Sequence, residues 1–263
     1  MGAVGLTYLA HARQDDVRLT LRQDCQPRLG EAVLDLEESD ALALLARRVF
    51  RGVARHVAHG CDRARHGSCG CCEGACADRL LYACALGSAE TPQAVLEYVR
   101  LCFEVGPAIA QMTSHPVVCR VDALARRVAN ECEHTRQFVR FSQCADGSLF
   151  ARFSPNADTL PLVAGYFDAR MGSERFCLLD PTHRVACLHV PGSPSQVVRL
   201  DGPTADALEQ AFSPSDEELA VRELWRTFYQ RVSLDFRSPE ERGYDLRAKW
   251  MPKRFWAGLP ELG

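Results

Sequence analysis

Apolar side chains fall at helical spacing along much of the chain. Leu42, Leu45, Val49 and Val53 form one such stripe, and Ser39 or Asp40 before it is a good N-cap, so a helix is expected from there to about His59. Helix resumes at about Ala77. Thr91-Pro92 reads as an N-cap with proline at the first helical position, ahead of Val95, Val99, Cys102 and Phe103, and Gly106-Pro107 stops that run. Val117, Val121, Leu124, Val128 and Cys132 make a further stripe in steps of four and three, with Arg120, Arg126, Arg127 and Glu131 read onto the opposite face.

At Gln137 the period changes to two. Phe138–Gln143 and Leu149–Phe153 are expected strands, joined through Ala145-Asp146-Gly147-Ser148, a hairpin signal. Phe176–Leu179, Val185–Val190 and Gln196–Leu200 are expected strands too, with turns at Asp180-Pro181 and Pro191-Gly192-Ser193-Pro194. Such tight spacing favours an antiparallel meander. Leu6–Ala10, Val17–Arg22 and Glu31–Leu36 read as earlier short strands. Asp158 is placed as the cap of a helix bearing Leu160, Val163 and Phe167, and Asp201 opens another. Ser215 with Glu218 is a capping box for a helix whose expected core face is Val221, Leu224, Trp225, Phe228 and Val232. The expectation is one α+β domain over residues 1–263, a mainly antiparallel sheet flanked by helices with a helical C-terminal region. Residues 60–76, rich in Cys and Gly, read as an insertion.

Composition narrows the function classes. The 263 residues are 47% hydrophobic and 25% charged, with a formal net charge of −3. That is ordinary globular composition, and no global basic field advertises a nucleic-acid partner, so such binding would need a local patch. Nothing approaches the roughly 20 apolar residues of a membrane span. The apolar start MGAVGLTYLA lacks a basic n-region and a cleavage signal, and a cytoplasmic location is expected. Thirteen cysteines without a signal peptide suit reduced thiols. Cys102, Cys132, Cys177 and Cys187 sit singly at core positions, where cysteine acts as a small hydrophobe.

Four segments are candidates for chemistry. Cys69, Cys71, Cys72 and Cys76 lie close enough to hold zinc or an Fe–S cluster. Their C-x-C-C-x3-C spacing matches neither paired C-x2-C motifs nor the ferredoxin run, and a redox-active or incidental loop is the alternative. Glu131, Glu133, His134, Arg136 and Arg140 crowd one helix–strand junction, either a solvated helix end or a polar site where Arg136 and Arg140 grip an anion. Asp180, His183 and Arg184 share a turn, which is either plain or functional. Glu131 and Asp180 are thus the candidate catalytic acids or bases. Nucleophile elbows, phosphate loops and zinc-protease motifs are absent. Finally, Arg242, Arg247, Lys249, Lys253 and Arg254 interleave with Tyr244, Trp250, Phe255 and Trp256. Cations bind phosphates and aromatic faces stack on bases, so the composition suits single-stranded or distorted DNA. A C-terminal arm packed by its aromatics is the other reading. Lys249 and Lys253 are the only lysines in the chain.

A series of short blocks runs over about residues 90–261: Val121–Arg127, Glu131, Phe138-Val139-Arg140-Phe141, Pro155, Leu160-Pro161-Leu162, Phe167, Arg170, Asp180, Arg184, Leu224-Trp225, Tyr229, Met251-Pro252-Lys253-Arg254-Phe255-Trp256 and Leu259-Pro260-Glu261. In order and spacing the series resembles a bacterial family associated with DNA repair or DNA metabolism and built on a domain of unknown function. The resemblance implies a radical-SAM protein of DNA modification or repair as genetic neighbour and partner, and a relationship to members fused ahead of a uracil-DNA-glycosylase-type domain. It supplies no catalytic mechanism. Members often carry histidine two residues after the glutamate, where this chain has Glu133 followed by His134. Residues 60–76 have no counterpart in typical members. On this basis the expected function is a DNA-repair accessory protein contacting DNA or its partner enzyme through Arg126, Arg127, Arg140, Arg184, Arg247, Lys249, Trp250, Lys253, Arg254 and Trp256. A metal- or redox-active protein and a nucleic-acid-processing enzyme are the alternatives.

Overall fold

The computed structural model describes residues 18–27, 40–58, 75–232 and 250–258. The chain divides into two compact units, Met1–Ala129 and Asn130–Gly263. The expected strands at Leu6–Ala10 and Glu31–Leu36, and Cys69, Cys71 and Cys72, lie outside the described residues. Val17–Arg22 was expected as a strand. From Arg18 onward it is irregular and leads into a single 3-10 turn, Arg22–Asp24.

The described residues of the first unit hold α1 (Asp40–Ala58), α2 (Ala75–Leu86), α3 (Thr91–Val105), a 3-10 turn over Gly106–Gln111 and the start of α4 (Pro116–Phe138). Its core joins Val53, Leu80, Tyr98, Val99, Cys102, Ile109, Val118 and Val121. Thr91 does not cap α3. It is 3% exposed and its hydroxyl shares a hydrogen bond with Ser88 Oγ at 2.9 Å, leaving Glu90 at the N-cap position. Gly106 ends α3 as expected, because φ +57° and ψ −134° suit glycine alone.

The boundary between the units falls within α4. The second unit continues that helix, then adds β1 (Ser142–Gln143), β2 (Leu149–Arg152), α5 (Leu160–Met171), β3 (Phe176–Asp180), β4 (Val185–His189), β5 (Gln196–Arg199), α6 (Gly202–Ala211) and α7 (Asp216–Val232). The five strands lie in chain order in one sheet, with β2 and β3 parallel and the other pairs antiparallel. The α+β class and the mostly antiparallel sheet stand as expected. The parallel pair is a departure from a pure meander: α5 supplies the long crossover that parallel strands require. Phe138 ends α4 instead of opening a strand, and pairing begins only at Ser142.

Both faces of the sheet are covered, which explains the nearly unbroken apolar run of β3. On one face Phe150 stacks on Phe212 with ring centroids 4.5 Å apart, and Leu208, Cys144 and Cys177 fill in around them. On the other, Phe141 meets Phe167 and Phe176 edge-on, each at 5.7 Å. His189 is buried there too, flat against Phe176 at 4.7 Å, with Nδ1 bonded to the Glu174 carbonyl at 2.8 Å. Asp168 accepts from both the amide and the hydroxyl of Ser195, tying α5 to the turn before β5.

Three capping expectations resolve differently. Asp201 caps α6 through a 2.8 Å bond from the Thr204 amide. Asp158 does not cap α5; Thr159 takes that position and the Asp158 carboxylate turns to Arg199 instead. Ser215 Oγ caps α7 by accepting from the Glu218 amide, but the Glu218 side chain receives the Gln143 amide rather than completing the box. The expected core face of α7 is not buried: Val221, Leu224, Trp225 and Phe228 are all exposed, because the helix is fastened by its polar side. The side chain of Val232 lies outside the described residues.

Burial fixes the chemistry of the core thiols. It pushes the Cys102 pKa up to about 12 and that of Cys132 up to about 11, whereas Cys119 on the outer face of α4 is exposed. Since the thiolate is the reacting form, Cys102 and Cys132 should alkylate on the order of 100-fold more slowly than Cys119 in the native protein near neutral pH. Peptide mapping of a timed iodoacetamide reaction checks this; equal rates would show that those core positions are open.

Candidate functional site

Within α4, the buried positions Leu124, Val128, Glu131, Cys132 and Thr135 continue one stripe. Glu131 therefore points inward, 5% exposed, and not onto the solvated face. A carboxylate buried in apolar surroundings must be compensated. Arg254 does this with a two-pronged grip: Nε donates to Oε1 at 2.9 Å and Nη2 donates to Oε2. The Asn156 amide adds a third donor to Oε1 at 2.8 Å. Thr135, one turn further on, returns its hydroxyl to the Glu131 carbonyl at 2.9 Å and meets Thr159 Oγ1 at 3.3 Å.

Aromatic packing seats the same segment. Phe255, 4% exposed, meets Phe138 at 6.0 Å and His134 at 6.3 Å, both edge-on, and Arg254 lies 5.2 Å from the Phe255 ring. His134 Nδ1 is buried 3.8 Å from Glu131 Oε2, too far for a hydrogen bond, and has no hydrogen-bond partner among the described residues. With both oxygens of Glu131 held by donors, this group forms a clasp between α4 and the C-terminal segment.

What the clasp presents is different chemistry. Trp250 is 71% exposed. Lys253 is exposed, with Nζ 5.8 Å from the centre of the Trp256 ring. Trp256 donates its indole N–H to the Met251 carbonyl at 3.0 Å, which braces the turn. The basic-aromatic segment thus separates into anchors, Arg254 and Phe255, and outward groups, Trp250 and Lys253. Arg247 and Lys249 lie outside the described residues.

The second candidate acid sits at the end of β3. Asp180 is fully buried, and its Oδ1 accepts from the amides of Thr182 and His183 at 3.0 and 3.1 Å. Its Oδ2 lies 2.6 Å from His183 Nδ1. That hydrogen bond raises the His183 pKa above its ordinary value, opposed by burial and aided by the charges of Asp180 and then Asp158. Asp158 pairs with Arg199 at 2.5 Å. Arg184 closes the turn in a left-handed conformation, φ +54°, and its side chain is exposed.

Each acid is bonded to its own partners, Glu131 to Arg254 and the Asn156 amide, Asp180 to His183 and the turn amides. Of the candidate arginines, Arg126 and Arg127 are exposed in the first unit, where Arg127 lies 3.5 Å from Glu90, and Arg140 is exposed in the second. Cys76 is 4% exposed within the core of the first unit. Among the described residues no group of three or more His, Cys, Asp or Glu side chains is placed to hold a metal ion. No described helix is long and apolar enough to cross a membrane.

A family model described as a domain of unknown function, DUF4130, matches residues 89–261, roughly two-thirds of the chain. No curated protein and no solved structure matches the chain.

Two predictions come from this geometry. Glu131→Ala should destabilise the protein by about 3 kcal/mol, since it strands a half-buried guanidinium. Adding Arg254→Ala should cost less than the sum of the two single changes, as a denaturant double-mutant cycle reads directly; additive losses would deny the clasp. His183 supplies the pH test. Its folded pKa is raised, so its stabilisation is complete below its unfolded value of about 6.5 and is lost as pH rises through the folded value. The stability gap between the parent and His183→Gln should therefore be full near about pH 5.5 and shrink as pH rises above about 6.5, and a gap that is constant or widens would contradict the Asp180 bond.

Proposed function

The chain belongs to the family built on the domain of unknown function DUF4130, and we propose that it is an accessory protein of DNA repair or DNA metabolism that grips single-stranded or distorted DNA with the Trp250–Trp256 segment. One observation carries the reading: an indole and an ammonium face outward on a segment whose neighbouring residues are locked inward. Trp250 is 71% exposed and Lys253 is exposed, while Arg254 and Phe255 hold the backbone beneath them through Glu131 and Phe138. An exposed indole costs solvation unless something covers it, and a base can stack on it whatever the sequence. A lysine beside it meets the phosphate of the same strand. The formal charge of −3 calls for such a local site rather than a global field. The family resemblance supports the setting, with a radical-SAM or uracil-DNA-glycosylase-type enzyme performing the chemistry.

Fluorescence anisotropy with a labelled single-stranded oligonucleotide tests the contact. Trp250→Ala should weaken binding by about 1–3 kcal/mol. Lys253→Ala should weaken it at low salt and lower the salt slope by roughly one charge. Neither substitution should alter the fold, since neither side chain is buried. No binding at low salt, or binding indifferent to both changes, would sink the DNA contact. Co-purification with the radical-SAM protein then decides whether the same segment serves a protein partner.

A further inference from the structure

Helix α7 turns its apolar side chains outward. Val221, Leu224, Trp225 and Phe228 are 56%, 70%, 47% and 54% exposed. At 3.6 residues per turn they fall in one stripe about 100° wide, and Trp225 and Phe228 stack at 5.6 Å. The side bonded to the second unit is polar. Arg222 reaches the Ser142 hydroxyl and pairs with Glu218 at 2.7 Å, and Glu218 accepts from the Gln143 amide. A contiguous apolar stripe on the surface marks an interaction site.

The charges of the same helix indicate its occupant. The first turn carries Asp216, Glu217 and Glu218, and the last turn carries Arg231. Two copies laid antiparallel bring the acidic end of each to the basic end of the other; laid parallel, they place like charges together. Glu217 and Arg231 stand equally far along the chain from Leu224, the most exposed residue of the stripe. By helical geometry both lie on the same edge of the stripe, and like edges meet when two helices pair about a twofold axis. We propose that α7 is a homodimer interface: two copies pack antiparallel through Val221, Leu224, Trp225 and Phe228, crossing at Leu224, with Glu217 of each copy facing Arg231 of the other.

Sedimentation equilibrium on the full chain, from about 1 to 100 µM, tests it at affinities ordinary for a modest interface. A monomer–dimer equilibrium is expected. Leu224→Glu with Phe228→Glu should raise its dissociation constant at least roughly tenfold. Glu217→Arg and Arg231→Glu should each weaken the dimer, and the two together should restore it. Circular dichroism of each variant confirms that the fold is kept. A chain that stays monomeric, including one whose stripe is covered by another protein, overturns the proposal. So does a dimer untouched by the Leu224 and Phe228 changes, and a failed rescue overturns the antiparallel pairing.

Discussion

A carboxylate placed in the apolar stripe of α4 sets the terms for the second unit. A carboxylate at the 5% exposure of Glu131 is costly without donors. Its neutralisation recruits Arg254, 123 residues further along the chain, and the Asn156 amide from the loop after β2. Once Arg254 is fixed, Phe255 is delivered against His134 and Phe138, and the turn between Met251 and Trp256 has a defined backbone. The outward direction of Trp250 and Lys253 follows from this inward grip. Replacing the pair with two well-packed apolar residues could preserve stability. It would lose the direction that a two-pronged ion pair imposes on the chain, and direction is what a presenting segment needs.

Much of the fold is legible in the sequence because the periodicities are clean. The α4 stripe, the Asp146-Gly147 hairpin, the Asp201 cap and the run of strands after Phe176 all rest on local rules that tertiary packing did not override. Elsewhere, long-range pairing decided. The approach of β2 to β3 in parallel depends on α5 crossing over, which no local pattern distinguishes from a meander. Asp158 had the spacing of a cap, but Arg199 is the stronger partner, being charged. The face of α7 has a core pattern and is exposed. Periodicity tells which residues share a side, and only the tertiary structure tells which side is inside.

The candidate site was legible in kind but not in assignment. Composition grouped Arg254 with Lys253 as equivalent cations. The structure separates them by shape: a planar guanidinium matches a carboxylate with two parallel bonds, and an ammonium is a point charge with no such preference. A signal for Glu131 was present, since Leu124, Val128, Glu131 and Thr135 keep the three-four rhythm of the buried side. A charge in that rhythm demands a partner, and the rhythm alone does not say which of the chain's many arginines supplies it. That inference needed the rhythm to be followed through a charged residue, where a hydrophobic template breaks off.

Among the described residues arginines pair with acids at several points: Arg254 on Glu131, Arg199 on Asp158, Arg222 on Glu218 and Arg79 on Asp122. The two lysines of the sequence both lie in the C-terminal segment. Lys253 is exposed, above an aromatic ring rather than against an acid. In the proposed contact an ammonium acts as a point charge on phosphate, where a guanidinium would add a directional fork. Lys253 and Trp250 are both exposed beside the residues that make the clasp.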